Sequence, residues 1–397
     1  MVQYMCSICL KDFKQKSHYD RHIIKKIPCV NPIKKIELVL DKVLENKIIN
    51  ILSEKYEVNN NKFIDNIDKS ITELDENKNI PTIKKINYID LFCGLGAFHK
   101  AFELNNTNSV KYNCVFACDI DKGIQQLYNE NYNITPHGDI NKININDIPN
   151  FDILCAGFPC QPFSLAGKKE GFNDKEKGNL FFIILNIIDV KKPSQIILEN
   201  VKNLLSINNG TTFKIIIDEL KKRNYNVSYK VIDSKYYNCA QSRQRLFIVC
   251  DKNKEYVFNE IKNKIINVST ILDNINDYYD YSNKYTLEEY NSKNKNGCIM
   301  KYILINKISK KGGRQGERVY SVDSCGPTIC ASSGGPGAKT GFYYINNKIR
   351  TLTVNESLKM FGFTDYKRKS IPNDNDMLFY LGNSIVVNVL SEIIKNL

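Results

Sequence analysis

Short apolar segments alternate with helical patterns from Lys85 onwards. Amphipathic segments lie between the strand candidates, which are residues 86–92, 112–117, 151–156, 195–198 and 245–250. Alternation of strands and helices is typical of a sheet whose parallel strands are joined by helical crossovers on both faces. We therefore predict an α/β fold with a doubly wound, mostly parallel sheet.

Composition restricts the class of protein further. The chain has 397 residues, of which 42% are hydrophobic and 25% charged, as is typical of a globular protein with a substantial core. We find neither an uninterrupted run of about 18 apolar residues, as a membrane-spanning helix would need, nor a signal-peptide pattern at the N-terminus. The 13 cysteines do not follow a disulfide-scaffold spacing. We expect a protein of a reducing intracellular compartment (cytoplasm, nucleus or viral factory), not secreted and not bound to a membrane.

The charge of the chain favours a polyanionic partner. The formal net charge is +13 and the isoelectric point is near 9.0. This signal is unspecific by itself, because lysine is abundant together with asparagine and isoleucine throughout the sequence.

The first 30 residues have the ligand spacing of a small metal module. The potential zinc ligands are Cys6, Cys9, His22 and Cys29. A cysteine pair on a hairpin followed by two ligands around a helix holds Zn²⁺ tetrahedrally. His18 is a competing ligand one helical turn before His22. About 25 residues do not fold alone without a metal or another cross-link. We predict a zinc-finger-like module, and the alternative is a metal-free tail.

A glycine-bearing turn follows the first strand candidate and opens a helix. Gly94 and Gly96 lie in this turn, where backbone can approach a ligand and the helix N-terminus offers free N–H groups. Asp119 and Asp139 follow the next two strand positions, where acids bind ribose hydroxyls and an adenine amino group. The turn has no phosphate-binding lysine, so an adenosyl ligand without phosphates fits better than a dinucleotide. The alternative is that both aspartates are ordinary turn residues.

A cysteine follows the strand candidate at residues 151–156. Residues 157–164 read GFPCQPFS and place Cys160 at the carboxyl end of that strand, where open α/β sheets bind ligands. A thiol there becomes a nucleophile if its pKa is lowered or a base takes its proton. The alternative is a buried structural cysteine, which the polar, glycine-bearing loop after Cys160 disfavours.

This segment resembles the catalytic loop of the DNA (cytosine-5) methyltransferases, specifically those of bacterial and viral restriction–modification systems. Other family motifs follow in the same order, including LENV at 198–201, QSRQR at 241–245 and LGNS at 381–384. Together the motifs extend from Tyr88 to Val389. The resemblance implies a Rossmann-like class I methyltransferase that uses S-adenosylmethionine and produces S-adenosylhomocysteine.

The resemblance also implies a division of the chain. We expect a zinc-finger-like module at 1–30, a helical and charged linker at 31–85, and a catalytic core at 86–250. A small, irregular target recognition domain is expected at 251–348, and residues 349–397 complete the core.

The resemblance also implies which residues bind the cofactor, because each lies at a position that matches a cofactor-binding motif of the family. The residues implied to bind S-adenosylmethionine are Asp90, Phe92, Gly94, Gly96, Asp119, Ile120, Asp139, Pro159, Leu180 and Asn383.

Methylation of cytosine C5 requires activation of an electron-poor ring. A thiolate that adds to C6, here assigned to Cys160, turns the ring into an enamine that accepts the methyl group. Glu199 is the candidate acid at ring N3, and Arg245 the candidate cation at the base carbonyl, with Arg243 near the base or the catalytic loop. The alternatives are that Glu199 caps a helix, or that one arginine only pairs with it. The sequence names no base for the C5 proton, and the target nucleotide has to be flipped out of the duplex.

Double-stranded DNA is the expected partner. The candidate DNA-binding residues are Gln161, Ser164, Lys168, Arg314, Arg318 and Lys339. Small residues in the glycine-rich region let backbone approach the groove, and the alternative is a structural glycine-rich loop. We expect a monomer, with a cognate restriction endonuclease as a further partner. The competing functions are tRNA methylation and DNA binding without catalysis.

Two positions depart from the family pattern. Ala240 stands where proline is usual, which should alter only a turn. Asn355 stands where arginine is usual before Glu356, and this removes a charge that helps to hold the recognition domain against the core.

Overall fold

The computed structural model describes residues 4–5, 12–13, 83–159, 180–275, 277–294, 296–332 and 334–397. The chain divides into two compact units, Met1–Ile80 and Pro81–Leu397. In the first unit, strands β1 (Tyr4–Met5) and β2 (Asp12–Phe13) pair antiparallel. The core, the recognition region and the C-terminal segment all belong to the second unit.

The central sheet of the second unit confirms the expected topology. Its strands are β3 (Lys84–Leu91), β4 (Val110–Cys118), β5 (Ile153–Gly157), β6 (Gln195–Val201), β7 (Asn226–Asp233) and β8 (Gln244–Asp251). They lie in the order β4-β3-β5-β6-β8-β7. The first four run parallel, whereas β8 is antiparallel to both β6 and β7. The sheet is therefore mixed but mostly parallel.

Helices cover both faces of this sheet. They are α1 (Ala97–Leu104), α2 (Lys122–Tyr132), α3 (Leu180–Lys191), α4 (Thr211–Lys222), α5 (Val354–Phe361), α6 (Asp374–Asn383) and α7 (Val387–Lys395). Side chains of α1, α2, α5, α6 and α7 pack in one hydrophobic cluster, and those of α3 and α4 in another. Because β5 is covered on both sides, its sequence is an uninterrupted apolar run.

The recognition region is not irregular, and this expectation is corrected. Its sheet has the order β13-β12-β11-β10-β9. The strands are β9 (Tyr285–Lys293), β10 (Ile299–Asn306), β11 (Arg318–Ser321), β12 (Phe342–Ile345) and β13 (Lys348–Arg350). Strand β9 is mostly exposed and carries polar and charged side chains, so it lacks the apolar alternation by which strands are recognised. Strand β13 also crosses the expected boundary between residues 348 and 349.

A buried ion pair connects the recognition sheet to the core. Arg350 on β13 donates to both carboxylate oxygens of Glu356 on α5, at 2.7 and 2.8 Å. Glu356 also accepts from the backbone N–H of Asp273 at 2.8 Å. Asn355, at the departure from the family pattern, is exposed. Arg350 thus supplies a charge that holds this junction together.

The C-terminal helices contribute to the core. Residues Asp374–Lys395 are, among those described, the stretch long and apolar enough to cross a bilayer, with a mean hydropathy of 1.6. This stretch is 61% buried inside the protein, and residues of both α6 and α7 lie in the larger core cluster. Its apolar character is explained by packing within the protein.

Candidate active site

In the turn between β3 and α1, every second residue from 92 to 96 has a left-handed backbone conformation. The φ angles of Phe92, Gly94 and Gly96 are 54°, 50° and 77°. A Cβ on Gly96 would lie 2.2 Å from the ring of Tyr132, so this position requires glycine for space as well as for conformation. At Gly94 the nearest atom to such a Cβ is 4.0 Å away, which leaves open space above the turn.

Asp119 braces this turn from the end of β4. Its carboxylate accepts one hydrogen bond from the backbone N–H of Gly94 and one from that of Asp121, both at 3.0 Å. Burial raises the pKa of Asp119, and these N–H donors oppose the rise. Since each carboxylate oxygen accepts more than one hydrogen bond, Asp119 retains acceptor capacity for a pair of ligand hydroxyls.

Ile120 and Asp139 lie at the same edge of the sheet. Ile120 is 71% exposed, so its side chain is available for contact with a ligand. Asp139 accepts from the backbone and the side chain of Asn141, and both bonds fall on Oδ1. These hydrogen bonds lower the pKa of Asp139, so it is a carboxylate at neutral pH.

Asp90 lies in the strand below the glycine turn and is fully buried. Its Oδ2 accepts from the hydroxyl of Tyr128 at 3.3 Å, whereas Oδ1 has no hydrogen-bond partner among the described residues. Burial raises the pKa of Asp90 well above its usual value, opposed by Tyr128, and the charge of Asp119 raises it further. A buried acceptor without a partner is costly, which makes Asp90 a candidate to receive a ligand group or water.

The remaining cofactor candidates lie at element ends. Leu180 begins α3, Asn383 ends α6, and Pro159 follows β5; Pro159 and Asn383 are exposed. Cys160, Gln161, Ser164 and Lys168 lie outside the described residues.

The segment that leads to Cys160 is attached to β6. Gly157 pairs with Glu199 in the parallel register of β5 and β6. The side chain of Asn200, which is buried, donates to the backbone carbonyl of Phe158 at 2.9 Å. Asn200 was not among the site residues expected from the sequence, although it stands in the LENV motif. Its contact fixes the backbone two residues before Cys160.

Glu199 and Arg245 form an ion pair across β6 and β8. Glu199 Oε1 lies 3.2 Å from Arg245 Nε, and only 8% of Glu199 is exposed. Burial raises the pKa of Glu199, and the cations of Arg245 and Arg243 oppose this rise. Glu199 is therefore poised to hold a proton more readily than an exposed glutamate.

Arg243 serves as a buried clamp. Its guanidinium donates to the backbone carbonyls of Ile329, Gly382 and Ser384, each at 2.8 Å. Burial and the neighbouring Arg245 lower the pKa of Arg243 to about 9, so it remains a cation at neutral pH. These contacts join the recognition region to the end of α6. A place for Arg243 near the base or the catalytic loop stays a prediction, since that loop lies outside the described residues.

Gln241 adds to this junction and was not expected as a site residue. It is fully buried, and its Oε1 accepts from the backbone N–H of Ile329 at 2.9 Å. Thr328 donates through its hydroxyl to the carbonyl of Ser242 at 2.7 Å. The QSRQR motif thus combines Arg245, which meets Glu199, with residues that hold the recognition region.

The described DNA-binding candidates all make contacts within the protein. Arg314 is exposed and pairs with the buried Glu317 at 2.5 Å. Arg318 donates to the carbonyl of Gly313 at 2.7 Å, and Lys339 donates to that of Asn375. The glycine-rich loop around them is tightly packed, since the N–H of Gly337 donates to the carbonyl of Gly316 at 2.7 Å.

Within the described parts of the chain, no cluster of three or more potential ligands is suited to a metal ion. The zinc candidates Cys6, Cys9, His22 and Cys29 lie outside those parts.

Residues 86–397 match the family described as C-5 cytosine-specific DNA methylase. Type II methyltransferase M.HhaI of Haemophilus parahaemolyticus is 35% identical over 316 residues, which cover 79% of this chain and 94% of the relative. M.MspI of Moraxella sp. is 32% identical over 369 residues, covering 91% and 81% of the two chains. M.HaeII of Haemophilus aegyptius is 36% identical over 312 residues, covering 78% and 92%.

Solved structures share the fold at lower identity. The S. pombe Dnmt2 methyltransferase superposes with a TM-score of 0.58 at 20% identity, covering 78% of this chain and 97% of that one. The Entamoeba histolytica methyltransferase EhMeth gives a TM-score of 0.59 at 19% identity, covering 79% and 98%. With the family match over the whole core and relatives matched over most of their length, the chain belongs to the C-5 cytosine-specific DNA methylases and is a DNA (cytosine-5-)-methyltransferase.

Proposed function

We propose that this protein methylates C5 of a flipped-out cytosine in a specific duplex sequence through a covalent bond between Cys160 and C6. The proposal is based on the hydrogen bond from the Asn200 side chain to the Phe158 carbonyl, which lies beside the Glu199–Arg245 ion pair. These contacts fix the backbone that leads to Cys160 next to an acid and a cation. Such an arrangement supports attack on a ring that needs a proton and charge stabilisation at the same time.

Addition of the thiolate is the first step. The Cys160 thiolate forms a bond to C6, the C5–C6 double bond opens, and electron density moves to N3. Glu199 donates a proton to N3, so that the adduct is a neutral enamine. The raised pKa of Glu199 supports this role, because it favours the protonated form that a donor requires.

The two arginines have different proposed roles. Arg245, whose side chain is partly exposed beside Glu199, binds the carbonyl oxygen of the base. Arg243 is proposed as a positioning residue, because its three contacts join the recognition region to the end of α6. The matched test compares Arg243→Lys with Arg245→Lys, as described in the Discussion.

The residues at the end of the sheet fit S-adenosylmethionine, which supplies an electrophilic methyl group on sulfur. Asp119 would accept from ribose hydroxyls, Asp139 from the adenine amino group, and Ile120 would cover an adenine face. The spare acceptor capacity of Asp119 and the exposure of Ile120 support this fit. After C5 takes the methyl group, C5 loses its proton, the bond between Cys160 and C6 breaks, and the proton on N3 returns to Glu199, which restores the aromatic base. Ordered water is the proposed acceptor for the C5 proton.

Duplex DNA is the proposed substrate, and we propose that the recognition sheet contacts the DNA and determines the sequence specificity. Arg314, Arg318 and Lys339 would exchange their internal contacts for phosphates or bases on binding. The test is methyl transfer from radiolabelled cofactor to duplex DNA and to tRNA under the same conditions. Transfer to duplex DNA alone is expected, whereas transfer to tRNA alone would overturn the substrate assignment.

We also propose that the enzyme acts as a monomer beside a restriction endonuclease of the same specificity. Sequencing of 5-methylcytosine in DNA from cells expressing the protein identifies the site. That DNA is then expected to resist an endonuclease of this specificity. Methylation at scattered cytosines without a common sequence would contradict the proposal.

An N-terminal zinc site is proposed from ligand spacing. The antiparallel pair β1 and β2 supports it, because Cys6 and Cys9 lie between these two strands in the sequence. Metal analysis of the purified chain is expected to find one zinc, lost in Cys6→Ser and retained in Cys250→Ser. Absence of zinc from the wild-type protein would refute the site.

A further inference from the structure

A chain of polar side chains leads from Asp90, below the glycine turn, to the protein surface. The hydroxyl of Tyr128 lies 3.3 Å from Asp90 Oδ2 and 3.0 Å from His99 Nδ1. His99 Nε2 lies 3.7 Å from Glu103 Oε1, and the side chain of Glu103 is 42% exposed. The four residues come from β3, α2 and α1, so the chain is built by the packing of these elements.

The surroundings make an isolated charge on Asp90 unfavourable. Asp90 is fully buried, and its Oδ1 has no partner among the described residues. The neighbouring titratable groups are Tyr88, Cys93, Cys114, Asp119, Tyr128 and Cys155. Each of these side chains is either neutral or negatively charged, so none of them supplies a positive charge to balance an Asp90 carboxylate.

His99 stays neutral at physiological pH. Burial lowers the pKa of His99 to about 4, and the charge of Lys100 lowers it further. Its ring is stacked on Tyr132 at 4.2 Å and meets Tyr88 edge-on at 6.1 Å. A neutral imidazole holds one proton, on either Nδ1 or Nε2, and can therefore pass a proton by changing its tautomer.

We propose that Asp90, Tyr128 and His99 form a proton path through which Asp90 loses its proton when the cationic cofactor binds. This inference rests on the proposed S-adenosylmethionine site. Bound cofactor would bring sulfonium and ammonium cations, and these would supply a countercharge that the described titratable neighbours of Asp90 do not provide. Asp90 then acts as a carboxylate partner of the cofactor, and the cofactor site senses pH.

The proton balance follows from the hydrogen-bond directions. With Asp90 protonated, its O–H donates to Tyr128 Oη, the Tyr128 hydroxyl donates to His99 Nδ1, and His99 carries its proton on Nε2. When Asp90 ionises, its proton passes to Tyr128, the tyrosine proton passes to Nδ1, and the Nε2 proton leaves toward Glu103 and solvent. Tyr128 then donates to the Asp90 carboxylate. One proton leaves the protein, and every other group keeps its charge.

Titration calorimetry of the full-length protein with S-adenosylmethionine tests the coupling. Binding heats in buffers of different ionisation enthalpy give the number of protons released. We expect about one proton per cofactor bound, and an affinity that rises about tenfold per pH unit below the pKa of Asp90 in the free protein. Asp90→Asn is expected to bind cofactor with loss of this proton and of the pH dependence. Absence of proton release in the wild type, or equal release by Asp90→Asn, would overturn the proposal.

Stopped-flow mixing with a pH indicator tests the route. Tyr128→Phe removes the hydroxyl that joins Asp90 to His99, so proton release should lag behind cofactor binding. Tyr112→Phe is the matched control, because Tyr112 packs on Phe102 at 4.8 Å in the same cluster but lies outside the path. Release without delay in Tyr128→Phe would overturn the route. Failure of the wild type to bind S-adenosylmethionine at all would instead refute the proposed cofactor.

Discussion

Glu199 Oε1 lies 3.2 Å from Arg245 Nε, at the end of the sheet where the chain leaves β5 for Cys160. The pair is largely buried, and the backbone of Glu199 is the register partner of Gly157. An acid and a cation are thereby held by two strands rather than by loops. This rigidity suits groups that must meet a small planar base in one orientation.

The protonation of Glu199 should govern the alkaline limit of activity. Burial raises its pKa above 4.5, so the acid form needed at N3 is present below the raised pKa and is lost as pH rises through it. We therefore expect the single-turnover rate of the wild type to fall as pH rises through the pKa of Glu199, which gives the pH profile an alkaline limb. Glu199→Gln cannot ionise and should lose the limb, with a rate lower by about 10²–10⁴-fold. An unchanged limb in Glu199→Gln would show that another group titrates.

Substitution of Arg243 should mainly lower the stability of the protein, whereas substitution of Arg245 should mainly lower its activity. Arg243→Lys keeps the charge but cannot serve the carbonyls of Ile329, Gly382 and Ser384 together. We expect a loss of about 2–4 kcal/mol in the free energy of unfolding, measured by urea titration. Arg245→Lys should unfold close to the wild type while losing most of kcat. Equal loss of stability in both variants would contradict the division of roles.

Two glycines of one turn should differ in their tolerance of alanine. A Cβ at Gly96 meets the ring of Tyr132 at 2.2 Å, whereas one at Gly94 finds its nearest neighbour at 4.0 Å. Both positions have positive φ, so each alanine costs about 1–2 kcal/mol in backbone strain. Gly96→Ala should lose a further 1–3 kcal/mol, roughly, from overpacking. Thermal unfolding checks this, and a Gly94→Ala variant as unstable as Gly96→Ala would contradict it. Gly94→Ala should instead weaken cofactor binding.

The Arg350–Glu356 pair should make the recognition junction sensitive to acid. Burial alone would raise the pKa of Glu356, but Arg350 and the N–H groups of Thr353 and Asp273 hold it below 4.5. Its stabilising contribution is therefore present above pH 4.5 and is lost as pH falls through the lower folded pKa. Glu356→Gln leaves Arg350 buried without its countercharge and should cost about 3–5 kcal/mol at neutral pH.

Urea titrations at pH 7 and at acid pH measure this contribution. The difference between wild type and Glu356→Gln should shrink toward acid. A constant difference would mean that the carboxylate charge is not what stabilises the junction. Lys359→Gln removes the partly exposed pair of Lys359 with Asp273 and is the matched control, with an expected change below about 1 kcal/mol.

Five of the six core strands and the carboxyl end of the sheet could be predicted from the sequence, because strands that are covered on both faces are apolar runs. The order of the strands in the sheet is given by the structure. The segment predicted at 86–92 is the strand Lys84–Leu91, and that at 112–117 is Val110–Cys118. Strand β7 was not predicted, since it lies at the sheet edge and alternates partly exposed residues. Strand β9 also lies at a sheet edge and is mostly exposed, so its sequence does not indicate a strand.

The contacts of the site were less accessible. Arg243 was identified by its motif, but its partners at 329, 382 and 384 are distant in sequence, so only the fold reveals the clamp. Asn200 stands beside Glu199 in the same motif, and its role depends on the approach of Phe158 from the neighbouring strand. Residue types and spacing indicate the chemistry, while the division between reacting and positioning groups depends on the packing of separate elements.

The covalent step is tested most directly by a duplex pool in which 5-fluorocytosine replaces cytosine, incubated with the protein and S-adenosylmethionine. Fluorine at C5 cannot leave as a proton does, so the enzyme should remain bound to C6 through Cys160. Denaturing electrophoresis followed by peptide mass spectrometry should find the adduct on the peptide that contains Cys160. Cys160→Ala should form no adduct. Cys250→Ala is the control and should form the adduct normally, because Cys250 pairs with Ile196 near the start of β6, at the other end of the sheet. Methylation of ordinary DNA by a protein that forms no such adduct, or an adduct that persists in Cys160→Ala, would contradict the account.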